Sequence, residues 1–110
     1  MTVFSELEKR MSIYAEIKPR GYKSDVITNN RISLLDIRDY FMINGQILEE
    51  DKECGIYIAK VCAGIKNKNP AVIAVKLIAG EIYISAYAKE GLFYQHTAEK
   101  VVNEFKQYFQ

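Results

Sequence analysis

The side chains able to do chemistry in this 110-residue chain are few and scattered. Carboxylates gather at Asp36 and Asp39, and again at Glu49, Glu50, Asp51 and Glu53. Converging carboxylates can hold a hard cation or exchange protons. Asp36 and Asp39 are three apart and share a face only on a helix. No glycine-punctuated calcium loop surrounds either group. A solvated charge cluster is the expectation, with Glu49, Glu50 and Asp51 as a patch able to face a partner. His96 is the single histidine. A catalytic histidine works with a nucleophile and an orienting acid, and no Gly-x-Ser-x-Gly setting surrounds any serine, so His96 is expected at the surface or at a helix cap. The glycines stand singly, without the spacing of a phosphate-cradling loop. No catalytic residue, metal site or cofactor is therefore expected.

Cys54 and Cys62 lie about 12 Å apart if helical and about 27 Å apart if extended. A disulfide needs Cα atoms roughly 4.4–6.8 Å apart, so two reduced, half-buried thiols are expected. Lys66 and Lys68 could touch phosphate, but nucleic-acid affinity needs several coordinated contacts. Four lysines and no arginine between residues 54 and 76 make nucleic acid a weak alternative.

Half of the residues (49%) are hydrophobic, 26% are charged, and the net charge is +1. These values argue against a disordered tail, a disulfide scaffold or a strongly basic nucleic-acid binder. Glu6, Glu8, Lys9 and Arg10 interrupt any export signal. The longest strongly apolar stretch, Ala71–Ala79, contains Lys76 and falls short of the roughly 20 residues a membrane helix needs. A cytoplasmic protein with no membrane partner is expected. Near-neutrality conceals local imbalance. Residues 47–53 carry −3, from four acids and Lys52, and residues 54–76 carry +4, from Lys60, Lys66, Lys68 and Lys76.

The elements that must position these groups are read from periodicity. A helix is expected from Ser5 to Ile17, capped by Ser5 with Glu8 and ended by Pro19 and Gly21. Residues 22–53 admit two readings. Asn44-Gly45 is either a tight hairpin between Ile37–Ile43 and Gln46–Glu50, or the end of a helix over Ser33–Ile43 with Ser33 as its cap. Leu34-Leu35 and Phe41-Met42-Ile43 run apolar on both parities, which suits a strand covered on both faces or a helix. Cys54, Ile58, Val61, Cys62 and Ile65 predict a helix over Lys52–Asn67. Ala71–Ile78 and Glu81–Ala88 predict a β-hairpin whose apolar faces coincide only if paired residue numbers sum to an odd value. That condition allows a two- or a four-residue loop, and the poor fit of Ala to a tight mirror-image turn favours four. A short strand at Leu92–Gln95 is a further option. Ala98, Val101, Val102, Phe105, Tyr108 and Phe109 predict a final helix over Thr97–Phe109 with Thr97 as its cap.

The expected fold is α+β, a single domain over residues 1–110. It comprises a small antiparallel sheet (hairpin 71–88, with an alternative second hairpin around 37–50) packed with helices over about 5–17, 52–67 and 97–109. The second face of the hairpin is its most informative feature. In the odd-sum register Lys76 lies opposite Tyr83 and Val72 opposite Tyr87. Tyrosine joins a large contact area to a polar tip and suits interfaces. Either one of the protein's own helices covers this face, or a second subunit or another protein does. The functional expectation is a non-enzymatic interaction or regulatory module, homodimeric through Lys76, Tyr83 and Tyr87. One alternative is a toxin-neutralising immunity protein using the acidic 49–53 patch as bait. Another is a weak nucleic-acid binder using Lys66 and Lys68.

Overall fold

A computed structural model of the chain describes residues 2–62 and 69–110. Helix α1 spans Val3–Met11. Its cap is Thr2, whose side-chain oxygen accepts from the Ser5 backbone N–H at 3.0 Å. The helix therefore starts earlier than the Ser5 cap would place it. It also stops well before Ile17, because a turn after Met11 lays Ala15 and Ile17 onto the sheet and carries the Tyr14 hydroxyl to Glu49 at 3.0 Å. Apolar residues that extend a helical stripe in the sequence reach the core by another path.

Strand β1 (Tyr22–Thr28) follows, then helix α2 (Leu34–Asn44). Ser33 and Asp36 cap α2 reciprocally, with Asp36 N–H donating to Ser33 Oγ at 3.3 Å and Ser33 N–H to Asp36 Oδ2 at 2.9 Å. The helical reading of 33–43 is thus the one realised, and the hairpin around 37–50 does not form. Asn44-Gly45 is the corner at which α2 passes directly into strand β2 (Gly45–Asp51). A Cβ at Gly45 would collide with the Lys60 carbonyl and the Val61 side chain, so the corner needs glycine for close approach rather than for backbone strain.

Residues 52–55 form a turn and Ile56–Cys62 form strand β3. This overturns the helix expected over 52–67, whose residues 63–67 lie outside the described residues. Ile56 and Ile58 pack on one side of the sheet and Tyr57, Ala59 and Val61 on the other. A strand buried on both faces is a continuous apolar run, and a helical spacing can be picked out of any such run.

Strands β4 (Pro70–Ile78) and β5 (Glu81–Tyr87) make the expected hairpin in the expected register, with Lys76 opposite Tyr83 and Val72 opposite Tyr87. The loop is the two-residue Ala79-Gly80, not four residues, because Ile78 and Glu81 still pair. Both loop residues have positive φ, 46° and 82°, the mirror-image turn that suits strand twist. The Gly80 carbonyl accepts from Asn29 N–H at 2.8 Å, which fixes a turn that alanine alone disfavours. Helix α3 occupies Thr97–Phe109, the bounds its apolar period predicts. Thr97 is its first helical residue rather than its cap. The Glu90 carboxylate accepts from the N–H groups of Thr97 (2.8 Å) and Gln95 (3.2 Å), and Leu92–Gln95 is not a strand.

The result is α+β: a five-stranded antiparallel sheet in the order β1-β5-β4-β3-β2 with three helices. Helices α2 and α3 cover one face through Ile37, Phe41, Val102 and Phe105 over Ile73, Val75 and Ile84. Helix α1 covers the other through Leu7 and Met11 over Ile56, Ile58, Ala74 and Tyr87. No helix among the described residues is long and apolar enough to cross a membrane.

Candidate functional site

The face bearing Lys76, Tyr83 and Tyr87 is the one α1 lies on. The register brings Lys76 and Tyr83 side by side, and α1 then covers them from above. Lys76 Nζ reaches Glu6 Oε1 at 2.6 Å. The Tyr83 ring meets Phe4 edge-on at 5.6 Å. Tyr87 is only 5% exposed, and buried Ser85 pairs with the Tyr22 hydroxyl at 3.0 Å. The tyrosines expected to meet a second chain thus meet the protein's own first helix, whose polar residues clasp the rim.

The acidic run lies on edge strand β2, and strand alternation divides it between the two faces. Glu49 and Asp51 share the α1 side, where Arg10 Nη1 sits 2.8 and 2.9 Å from their carboxylates. A bulge between Ile47 and Glu49 interrupts the pairing just before them. Glu50 points to the α2 side, 3.4 Å from Arg38 and 3.3 Å from Lys52. The two carboxylates push the Arg10 pKa upward. The Cys54 backbone N–H, followed by Arg10, holds Asp51 below the usual carboxylate range. Burial raises Glu50, but Lys52 and Arg38 more than offset it and hold it low. Glu49, Glu50 and Asp51 therefore pin α1 and α2 to the sheet edge, and their charge is largely answered within the chain.

The remaining reactive groups stay apart. Asp36 caps α2. Asp39 is exposed on the same helix. His96 stacks on Tyr94 with ring centroids 4.0 Å apart and faces Glu99 at 3.5 Å. Cys54 and Cys62 are both exposed rather than half-buried, and neither is in a disulfide. No cluster of three or more His, Cys, Asp or Glu side chains gathers among the described residues. Lys66 and Lys68 lie outside the described residues.

One apolar surface without a cover among the described residues is the outer side of α2. Ile37, Tyr40 and Phe41 bury its inner side, yet Leu35, Met42 and Ile43 are 62%, 56% and 78% exposed. Leu35 and Met42 are seven residues, or two turns, apart and form one stripe. On the inner side, the exposed Tyr108 of α3 packs beside Tyr40, with rings 5.0 Å apart. Acidic groups border the stripe, Asp36 and Asp39 on α2. Glu104 is near enough to Tyr40 to reinforce burial in pushing that phenol up to about 12. Exposed apolar side chains grouped in this way mark interaction surfaces. The sequence carried the signal in Leu34-Leu35 and Phe41-Met42-Ile43. Apolar residues on both parities of a helix exceed what one buried side can use. No family model, no curated protein and no solved structure matches the chain.

Proposed function

We propose that this protein is a non-enzymatic protein–protein interaction module that docks a basic, one-sided apolar segment of another protein on the outer side of α2. The observation that carries this reading is the exposure of Leu35, Met42 and Ile43 on a helix already anchored by its other side. Burying a large aliphatic side chain contributes about 1.5–3 kcal/mol, so three form an anchor of useful strength. Asp36 and Asp39 beside it on α2 favour a partner carrying lysine or arginine. They disfavour a second copy, because a two-fold contact sets a patch against itself and like charges would then oppose each other. Homodimerisation through Lys76, Tyr83 and Tyr87 would require α1 to leave. An immunity protein baited with Glu49, Glu50 and Asp51 would require those groups to exchange Arg10 and Arg38 for the partner's cations.

A photo-crosslinking amino acid in place of Met42 tests the proposal. The expected product is a discrete adduct with a different protein, joined through a segment that is apolar on one side and net basic. The adduct should disappear in Leu35→Ser plus Ile43→Ser. An adduct between two copies of this chain, an adduct through an acidic segment, or no discrete adduct would overturn it.

A further inference from the structure

The cations of this protein fall into two groups. Arg10, Arg38, Lys52, Lys76 and Lys106 each sit within ion-pair distance of a carboxylate. Among the described residues the other cations form no ion pair, and three of these, Lys18, Arg20 and Lys89, line one cleft of about 480 Å³. The cleft lies between the segment entering β1 and the chain leaving β5. Ala15 and Tyr87 supply its apolar wall, and its two carboxylates are Glu16 and Glu90. Burial raises Glu90, but the N–H groups of Thr97 and Gln95, which donate to Oε1 and Oε2, and the nearby Arg20 charge hold it low. Arg20 is steadied by the Tyr94 ring, 5.4 Å from its guanidinium carbon. A cation–π contact uses the flat face of the guanidinium and leaves its N–H edge available. An adjoining depression shares Ala15, Tyr87 and Lys89 and adds Lys60, another cation with no ion pair.

We propose that this cleft binds a small phosphate-bearing molecule with an apolar or aromatic body. The phosphate would take the donors of Lys18, Arg20 and Lys89, and the body would lie against Ala15 and Tyr87. Three cations lining one cleft favour an oxyanion, and an arginine fork matches phosphate geometry. The volume falls within the roughly 300–1,000 Å³ typical of small-ligand sites. This site is separate from the α2 stripe, so either can fail without the other.

The test is an amide-resolved NMR titration of the full chain with phenyl phosphate, inorganic phosphate and phenol as separate probes. Phenyl phosphate is expected to shift Lys18, Arg20, Tyr87 and Lys89 saturably and to bind more tightly than inorganic phosphate, with phenol inert. Arg20→Gln plus Lys89→Gln should weaken phenyl phosphate about tenfold or more, since each charged hydrogen bond is of that order. An unchanged melting temperature would show that this variant is folded. Shifts spread over all lysines, affinity unchanged in the variant, or no saturable binding would overturn the proposal. A short single-stranded oligonucleotide binding more tightly than phenyl phosphate, with steep salt dependence, would also overturn it in favour of nucleic acid.

Discussion

The two faces of the sheet are closed in different ways. The α2/α3 face is closed by rings. Phe105 lies 5.7 Å from Phe41, 5.2 Å from Tyr40 and 4.7 Å from Phe109. The α1 face is closed by one nine-residue helix with two buried side chains, Leu7 and Met11. So short a helix removes little apolar area from water, and polar clasps around its rim supplement it: Glu6 to Lys76, and Arg10 to Glu49 and Asp51. Charged residues that read in the sequence as a candidate site are largely the fastening of a helix. Among the described residues that fasten nothing are the outer stripe of α2 and the cations lining the cleft near Tyr87.

If the two faces differ in this way, truncating their centres should cost different amounts. Phe105→Ala is expected to destabilise by about 3–5 kcal/mol, and Leu7→Ala by about 2–3 kcal/mol, within the range for buried leucine. Urea denaturation measures both, and a larger loss at Leu7 would reverse the ranking of the faces. The rim clasp is tested by a double-mutant cycle on Glu6→Gln and Lys76→Met. A coupling of about 1 kcal/mol is expected for a partly exposed pair, and zero coupling would remove this pair from the fastening of α1.

The aromatic face has an ionic rim as well, Asp25 to Lys106 at 2.6 Å. Lys106 holds the Asp25 carboxyl below its usual value, outweighing the effect of burial. A group with a depressed folded-state pKa contributes stability above its unfolded value, about 3.9 for Asp, and loses it as pH falls through the lower folded value. Wild type should therefore exceed Asp25→Asn in stability at neutral pH, and the two should converge as the solution is acidified below about pH 4. Parallel curves would remove Asp25 from the acid response. The smallest effect belongs to the uncovered stripe. Leu35→Ser plus Ile43→Ser should change stability by no more than about 0.5 kcal/mol per site while abolishing partner crosslinking through position 42. A loss of several kcal/mol would mean that the stripe is packed rather than presented.

Much of the fold could be read locally. Helix α3 has the bounds its period implies, and the β4–β5 register follows from matching apolar faces, because a one-residue slip would turn a whole face to water. Ser33 marks the start of α2 in one of two readings the sequence leaves open, and its reciprocal cap with Asp36 is seen in the structure. Local signals failed where a segment is apolar on every side. Ile56–Cys62 mimics a helix because both of its faces are buried, and Asn44-Gly45 mimics a hairpin because a helix–strand corner also needs a residue without a side chain. Which of two apolar segments covers which face is a non-local choice, made by packing between residues far apart in the chain. The amino-acid order determined that the Tyr83–Tyr87 face needs a cover and that α2 carries more apolar surface than one side can bury. Only the tertiary structure decided that α1 is that cover, that Glu49 and Asp51 belong to Arg10, and that Leu35, Met42 and Ile43 remain in water. The reason is that periodicity fixes which residues share a face, while the partner of a face is set by which element fits it in the packed structure.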